Sequence, residues 1–267
     1  MSEDKRPDPK PRKHPQLWQA YLWWDELMQM RKRHTLRISS IEAGKSNLDA
    51  GFERAWMDSI GGEELTLDGL VCQAKKEMIT FGKMVGPVWG WMTSIRGVGD
   101  HTAAKILAQL DDPANYATVS KLWRFSGWAV IDGEIDRCKK GEKSPYNRRL
   151  KSECYLLAEQ FIRHQTPYYA DLYYSEKARQ RRLHPDVVCR DCGCLWDDCE
   201  SKKKHKRQFN DGHLHNRAMR KTVKRFLSHL WVVWRQSEGL PTPPPYVQTV
   251  LGHTNIDAPP GWELKNE

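Results

Sequence analysis

Apolar side chains recur at helical spacing through most of the N-terminal third of the chain. One pattern covers residues 16–57 and another covers residues 66–91, with Gly61-Gly62 between them. The first pattern carries apolar residues at Leu17, Tyr21, Trp24, Leu27 and Met28. The two patterns predict a coiled-coil-like helical arm over residues 16–88, folded as an antiparallel hairpin or extended. Such an arm would either mediate homo-oligomer formation or pack within one chain.

Helical patterns return in the C-terminal half. One covers residues 152–183, and the strongest covers residues 213–238 before Gly239 and Pro241. This last helix has a predicted buried stripe of Met219, Val223, Phe226, Leu227, Leu230 and Trp234. Its other face carries Arg217, Arg220, Lys221, Lys224 and Arg225. A short strand is predicted only at residues 129–131, so the fold class is predicted to be mostly α.

Positive charge is concentrated in two segments. The net charge is +9 and the isoelectric point is about 9.2. Residues 137–151 contain seven Lys or Arg and one acid, and residues 202–225 contain ten Lys or Arg and one acid. Clusters of this kind neutralise phosphates and release counterions. Nucleic acid is therefore the first partner to consider.

The termini and the cysteines indicate a cytoplasmic protein. Residues 1–15 contain four Pro and eight charged residues and predict a disordered basic arm, and residues 241–267 predict an irregular Pro-rich tail. The sequence has no apolar signal core and no apolar run of about eighteen residues, so we expect no membrane partner. In the cytosol the seven Cys are expected to be reduced or metal-bound.

The segment from Ile95 to Leu107 has the pattern of a helix-hairpin-helix. One helix is predicted to end before Gly97 and another to begin after Gly99. The amides of Gly97, Val98 and Gly99 would form an anion nest beside the positive end of the second helix. Lys105 would reach a neighbouring phosphate. The alternative is a structural helix turn with no ligand.

The order of motifs over residues 90–240 resembles a known family. The Ile95–Leu107 hairpin is followed by Leu122-Trp123-Arg124-Phe125-Ser126-Gly127-Trp128 and then by Tyr146-Asn147-Arg148-Arg149-Leu150-Lys151. This order is similar to the C-terminal domain of the insertion-sequence one-ten transposases, also labelled one-sixteen and nine-oh-two. The resemblance implies DNA binding, a role in transposition or recombination, oligomerisation and, for some members, binding of a structured guide RNA.

Two departures from the family leave enzymatic activity open. We find no strand-rich, ribonuclease-H-like nuclease domain before the helical arm. Where the family has a nucleophilic Ser-Gly pair, this chain reads Asp132-Gly133, and a carboxylate cannot replace the hydroxyl. Asp132 and Ser144 remain weak catalytic candidates, although an ordinary loop serine is the simpler interpretation of Ser144. Magnesium is expected only if the protein is an active recombinase completed by a partner subunit.

A cysteine-rich insert covers residues 187–212. Cys189 and Cys192 form a Cys-x-x-Cys knuckle, which is typical of one half of a structural zinc site. The remaining ligands are expected among Cys194, Cys199, His205 and His213, with Cys199 sterically the easiest third ligand. Reduced surface thiols and a redox pair are the alternatives to zinc.

The sequence thus predicts a DNA-binding, transposase-like protein that holds the DNA backbone through its glycine bend. The basic residues Lys139, Lys140, Lys143, Arg148 and Arg149 would extend the contact. The rival binding hypothesis is a structured-RNA-binding protein, with Trp123, Tyr146 and Tyr168 stacking on unpaired bases.

Overall fold

The fold is mostly helical, as the apolar periodicity predicted. The computed structural model describes residues 11–60, 66–131, 133–243 and 257–263. In these residues the α-helices are α1 (Pro15–Glu42), α2 (Ala50–Ser59), α3 (Leu67–Lys83), α4 (Pro87–Ser94), α5 (Asp100–Leu110), α6 (Val119–Phe125), α7 (Arg148–Arg163), α8 (Tyr169–Leu183) and α9 (Asp211–Ser237). The extremes of both predicted irregular termini, residues 1–10 and 264–267, and most of the Pro-rich segment lie outside the described residues.

Three predicted helices are interrupted, and local chemistry explains each break. The first pattern stops at Glu42, and α2 starts anew where Asp49 accepts hydrogen bonds from the amides of Gly51 and Phe52. The second stops before Gly86, whose φ of +108° is incompatible with a continuing helix. The third stops before Pro167, between α7 and α8. Each break contains a turn-forming residue, Gly44, Gly86 or Pro167, which the prediction of continuous helices passed over.

The chain divides into two compact units. The first consists of the described residues up to Gly90 together with Asp100–Asp112. In it α1 packs along α3, both contact α5, and α2 packs against α1 and α3. Fully buried side chains in its core include Leu17, Tyr21, Leu67, Met78, Ile106 and Leu107. The N-terminal helices thus pack on one another within a unit of several helices. The coiled-coil-like arm and its role in oligomer formation stay predictions.

The second unit consists of Trp91–Gly99 and the chain from Pro113 onward. Helix α9 is its central element, with α6, α7 and α8 packed against it. The predicted buried stripe of α9 is confirmed, since each of its members is at most 2% exposed. The rings of Phe161 and Tyr169 stack at 4.6 Å beside Phe226, so α7, α8 and α9 meet in one aromatic core.

The second unit also contains two short two-stranded antiparallel ribbons. Strand β1 (Val130–Ile131) pairs with β2 (Glu134–Ile135) around Gly133, whose φ is +78°. Strand β3 (Val188–Cys189) pairs with β4 (Arg207–Gln208) and closes the cysteine-rich insert. The short strand predicted at residues 129–131 is therefore present. Every helix in the described part of the chain is too short or too polar to span a bilayer.

Candidate functional site

The glycine bend has the predicted local geometry. Helix α4 ends at Ser94 and α5 begins at Asp100, and the φ of Gly97 is +90°, a value that side-chain-bearing residues rarely adopt. Val98 is buried, and its amide donates to the carbonyl of Ile95 at 2.9 Å. Of the three amides predicted to hold an anion, that of Val98 is therefore engaged within the turn, leaving those of Gly97 and Gly99 as candidates.

One side of the bend packs against the protein itself. The Thr166 hydroxyl donates to the Arg96 carbonyl at 2.7 Å, and a Cβ added to Gly97 would lie 3.4 Å from atoms of Gln160, His164 and Thr166. Gly99 is exposed. The positive φ and close approach thus give Gly97 a structural reason to be glycine, and the phosphate-binding role of the bend stays a prediction.

Lys105 is not placed where a surface phosphate would lie. Its side chain belongs to the buried face of α5 and is 8% exposed. The ammonium lies 5.3 Å from the ring centroid of Trp24, a cation–π contact within the first unit. The sequence pattern placed Lys105 one turn into the helix but did not show which face it occupies, so we leave it out of the candidate binding surface.

The predicted basic segment before α7 lies on the surface. Lys139, Lys140, Lys143, Arg148 and Arg149 are all exposed. Lys139 forms an exposed ion pair with Glu142 at 3.8 Å, a contact that contributes little to stability and is easily exchanged for another anion. These side chains are accessible to a phosphate backbone.

Of the two catalytic candidates, only Ser144 lies within the described residues, and its contacts are those of a turn. Asp132 lies outside the described residues. The Ser144 hydroxyl donates to the carbonyl of Tyr146 at 2.7 Å and lies 3.3 Å from the Cys138 sulfur. These contacts close a tight turn, which agrees with the interpretation of Ser144 as a loop serine.

Three half-buried cations lie on α7 and α9, which pack against each other, and the sequence did not predict that these helices would bring them together. Lys151 comes from the first turn of α7, and Arg220 and Lys224 lie one turn apart on α9. Burial lowers the pKa of all three groups, and the nearby Arg220 lowers those of Lys151 and Lys224 further. None of the three forms an ion pair within the described residues, and the groups that raise the pKa of Lys151 are the Cys138 thiol and, to a smaller extent, Asp136.

Two aromatic rings border these cations. The Lys224 ammonium lies 3.9 Å from the ring centroid of Trp123, and the Lys151 ammonium lies 4.2 Å from that of Tyr146. Both rings are half-buried. We call Lys151, Arg220, Lys224, Trp123 and Tyr146 together the basic–aromatic cluster. Tyr168, the third predicted stacking residue, instead donates its hydroxyl hydrogen bond to Asp257 at 2.6 Å.

The cysteine-rich insert assembles four residues that could hold a metal ion. The ligand atoms of Cys189, Cys192, Cys199 and His205 all lie within 4.8 Å of one another. The His205 Nδ1 is 3.4 Å from the sulfurs of Cys189 and Cys199, and the sulfurs of Cys192 and Cys199 are 4.0 Å apart. Around a tetrahedral zinc ion, sulfurs lie about 3.8 Å apart and a sulfur and a nitrogen about 3.5 Å apart. The observed spacing fits such an ion.

Of the ligands left open by the sequence, the structure brings His205 into this group. Cys194 lies beside it, with its sulfur 3.1 Å from that of Cys192. This contact lowers the pKa of the Cys192 thiol to about 7 and raises that of Cys194 to about 12. The ring of His213 instead accepts the amide hydrogen of Phe209 at 2.9 Å, as part of the start of α9. His205 becomes a neighbour of Cys189 because β3 pairs with β4.

Comparison of the chain with known protein families, with curated proteins and with solved structures gives no match. The basic–aromatic cluster and the cysteine–histidine group are the features of the described residues that bear on function.

Proposed function

We propose that the protein binds the phosphate backbone of DNA and acts in transposition or recombination. The observation that carries this proposal is that α7, at whose start the first basic segment ends, packs against α9, which carries the second. In this arrangement the charge of Arg220 on α9 lowers the pKa of Lys151 on α7, although the two segments lie far apart in sequence.

Electrostatics supports a phosphate ligand for this surface. Cations that repel one another and are partly withdrawn from water are unfavourable until an anion joins them. Phosphates of a nucleic acid supply that anion repeatedly, and the exposed Lys139, Lys140 and Lys143 extend the positive surface along the chain. Binding of this kind reads the backbone and not the bases, so we expect it to be tolerant of sequence. The resemblance to the insertion-sequence one-ten transposases supports the assignment to transposition.

We also propose that Cys189, Cys192, Cys199 and His205 hold a structural zinc ion. Three thiolates and one imidazole close a tetrahedral shell and leave no position for substrate, which is typical of structural rather than catalytic sites. The insert contains few apolar side chains, so metal binding would supply much of its local folding energy.

The DNA-binding proposal is tested by fluorescence anisotropy with a labelled duplex over a series of salt concentrations. The Arg220→Gln and Lys151→Gln variants should each weaken binding and lower the slope of log affinity against log salt by about one. The matched control is Lys76→Gln, which removes the same charge from an exposed position on α3. An unchanged affinity and slope in folded variants would overturn the proposed surface.

Zinc is tested by metal analysis of protein purified without chelator. We expect one zinc per chain in the unaltered protein and its loss in His205→Ala. Cys194→Ser is the matched control and should retain the metal, because Cys194 is outside the ligand group. Zinc-free protein, or equal metal content in both variants, would contradict the assignment.

A further inference from the structure

We propose that the ring faces of Trp123 and Tyr146 form a binding site for unpaired nucleotides, with Lys151, Arg220 and Lys224 holding the adjoining phosphates. The inference rests on the proposed function and names the part of a nucleic acid that this surface selects. It is carried by the way the two rings are fixed and by the cations that lie over them.

Trp123 is anchored by its edge. The indole Nε1–H donates to the main-chain carbonyl of Lys224 at 3.1 Å, which fixes the ring plane relative to α9. The Lys224 ammonium lies over the ring face at 3.9 Å from the centroid. A flexible lysine therefore covers the half-buried ring, and a lysine can move aside while its charge stays nearby.

Tyr146 is fixed by a glycine and by its loop. Gly127 has a φ of +73°, and a Cβ at this position would come within 2.6 Å of the tyrosine ring. The ring thus lies directly against the glycine. The Asn147 amide donates to the Phe125 carbonyl at 2.8 Å, which ties the loop to the end of α6. As at Trp123, a lysine covers the ring, with the Lys151 ammonium 4.2 Å from the centroid.

Rings held in this way are suited to stacking on nucleobases. Every nucleobase has a flat aromatic face on which a side-chain ring can stack. A tyrosine or tryptophan ring that is already fixed loses little conformational freedom when a base stacks on it. When a base takes the place of the ammonium over each ring, Lys151 and Lys224 remain within reach of the phosphates beside that base. Arg220, whose charge lowers the pKa values of both lysines, supplies the third positive group.

The same geometry disfavours a paired base as the ligand of the rings. Within a duplex both faces of each base are covered by neighbouring base pairs, so a duplex contacts the cluster only through phosphates. An unpaired nucleotide offers a free face and a phosphate together. We therefore expect single strands to use the rings and duplexes to use only the cations.

The test is anisotropy with labelled oligothymidylate, oligouridylate of equal length and a duplex, using the full chain. Tyr146→Leu should weaken single-strand binding about tenfold, the effect of one lost stacking contact, and leave duplex affinity within about twofold. Tyr146→Phe keeps the ring and should retain single-strand affinity. Phe52→Leu, at an exposed aromatic on α2, is the matched control and should change nothing. Circular dichroism and a thermal melt confirm that each variant is folded.

The outcomes separate the inference from the proposed function. Unchanged single-strand affinity in folded Tyr146→Leu, with duplex binding intact in the unaltered protein, would overturn the ring site and leave the DNA-binding proposal standing. Failure of the unaltered protein to bind any of the three probes would overturn both. Loss of single-strand affinity supports the site, and tighter binding of the thymidylate or the uridylate then identifies DNA or RNA as the source of the nucleotides.

Discussion

Glu176 joins α8 to α9, and neutralising it should destabilise the second unit. The carboxylate is 4% exposed and accepts hydrogen bonds from Arg179 at 2.7 and 2.9 Å, from Gln180 at 2.6 Å and from Lys221 at 2.7 Å. Glu176→Gln keeps the shape of the side chain and removes its charge. The guanidinium and ammonium that face it would then lose their counter-charge, which makes this a specific test of the ion pairs that fix α9.

The magnitude follows from the pKa of the carboxyl group. Burial alone would raise it, but the hydrogen bonds from Arg179, Lys221 and Gln180 overcome burial and lower the pKa from 4.5 to about 2. At about 1.4 kcal/mol per pKa unit, this difference corresponds to about 3 kcal/mol of folding free energy at neutral pH. Because Arg179 and Lys221 are 50% and 45% exposed, they regain water in the variant, so we expect a loss of about 2–3 kcal/mol.

The sign of the pH dependence is fixed by the same shift. Since the folded-state pKa lies below the unfolded-state value, the contribution is complete above about pH 4.5 and is lost as the pH falls towards 2. The gap between unaltered protein and Glu176→Gln should therefore shrink to less than about half by pH 3.

Urea denaturation at steps between pH 7 and pH 3, at fixed metal concentration, measures this gap. Glu142→Gln is the matched control, because Glu142 is 64% exposed and its pair with Lys139 should contribute less than about 0.5 kcal/mol. The reasoning would be refuted by a Glu176→Gln variant as stable as the unaltered protein at pH 7. It would equally be refuted by a gap that does not change as the pH is lowered.

Two further predictions concern packing and a buried imidazole. Gly82→Ala should destabilise the first unit by about 1–3 kcal/mol in urea unfolding, because the new Cβ would lie 2.4 Å from the Trp89 ring. The control is Gly90→Ala, which has open space around its Cβ and should not destabilise the unit. His229 is 2% exposed and burial lowers its pKa to about 4, so stability should fall as the pH drops from about 6.5 to 4. His229→Gln should flatten that part of the stability profile, and an unchanged profile would contradict the burial argument.

Features set by local sequence were predictable, and features set by long-range packing were not. The buried stripe of α9 and the break before α5 follow from periodicity and from glycine chemistry, both of which act over a few residues. The choice of His205 over His213 depends instead on the pairing of β3 with β4. That pairing draws one histidine toward Cys189, while the capping interactions of α9 keep the other at the helix start.

The same distinction explains why the basic–aromatic cluster was only partly anticipated. Trp123 and Tyr146 were candidates by residue type, and each basic segment was visible as a run of charge. Their meeting requires α6 and α7 to pack against α9, and no spacing in the sequence encodes that contact. Conversely, Lys105 fits the motif by spacing, but the helix turns it into the first unit's interior.

The basic face of α9, which the sequence presents as one surface, is divided by the structure into two stripes. Arg217, Lys221 and Arg225 follow one another at intervals of four residues. Arg217 donates a hydrogen bond to the ring of His184, and Lys221 and Arg225 form ion pairs with Glu176 and Asp257 respectively.

Arg220 and Lys224, also four residues apart, lie on the other stripe, and the charge of Arg220 lowers the pKa values of Lys224 and of Lys151 on α7. Helix geometry separates the stripes, since consecutive residues point about 100° apart. Charge that is already matched within the protein contributes little to an external phosphate, so the second stripe is the one available to a ligand. A nucleic acid should therefore approach α9 from the side of α6 and α7, and charge removal at Arg220 should weaken its binding more than removal at Arg225, which is paired with Asp257.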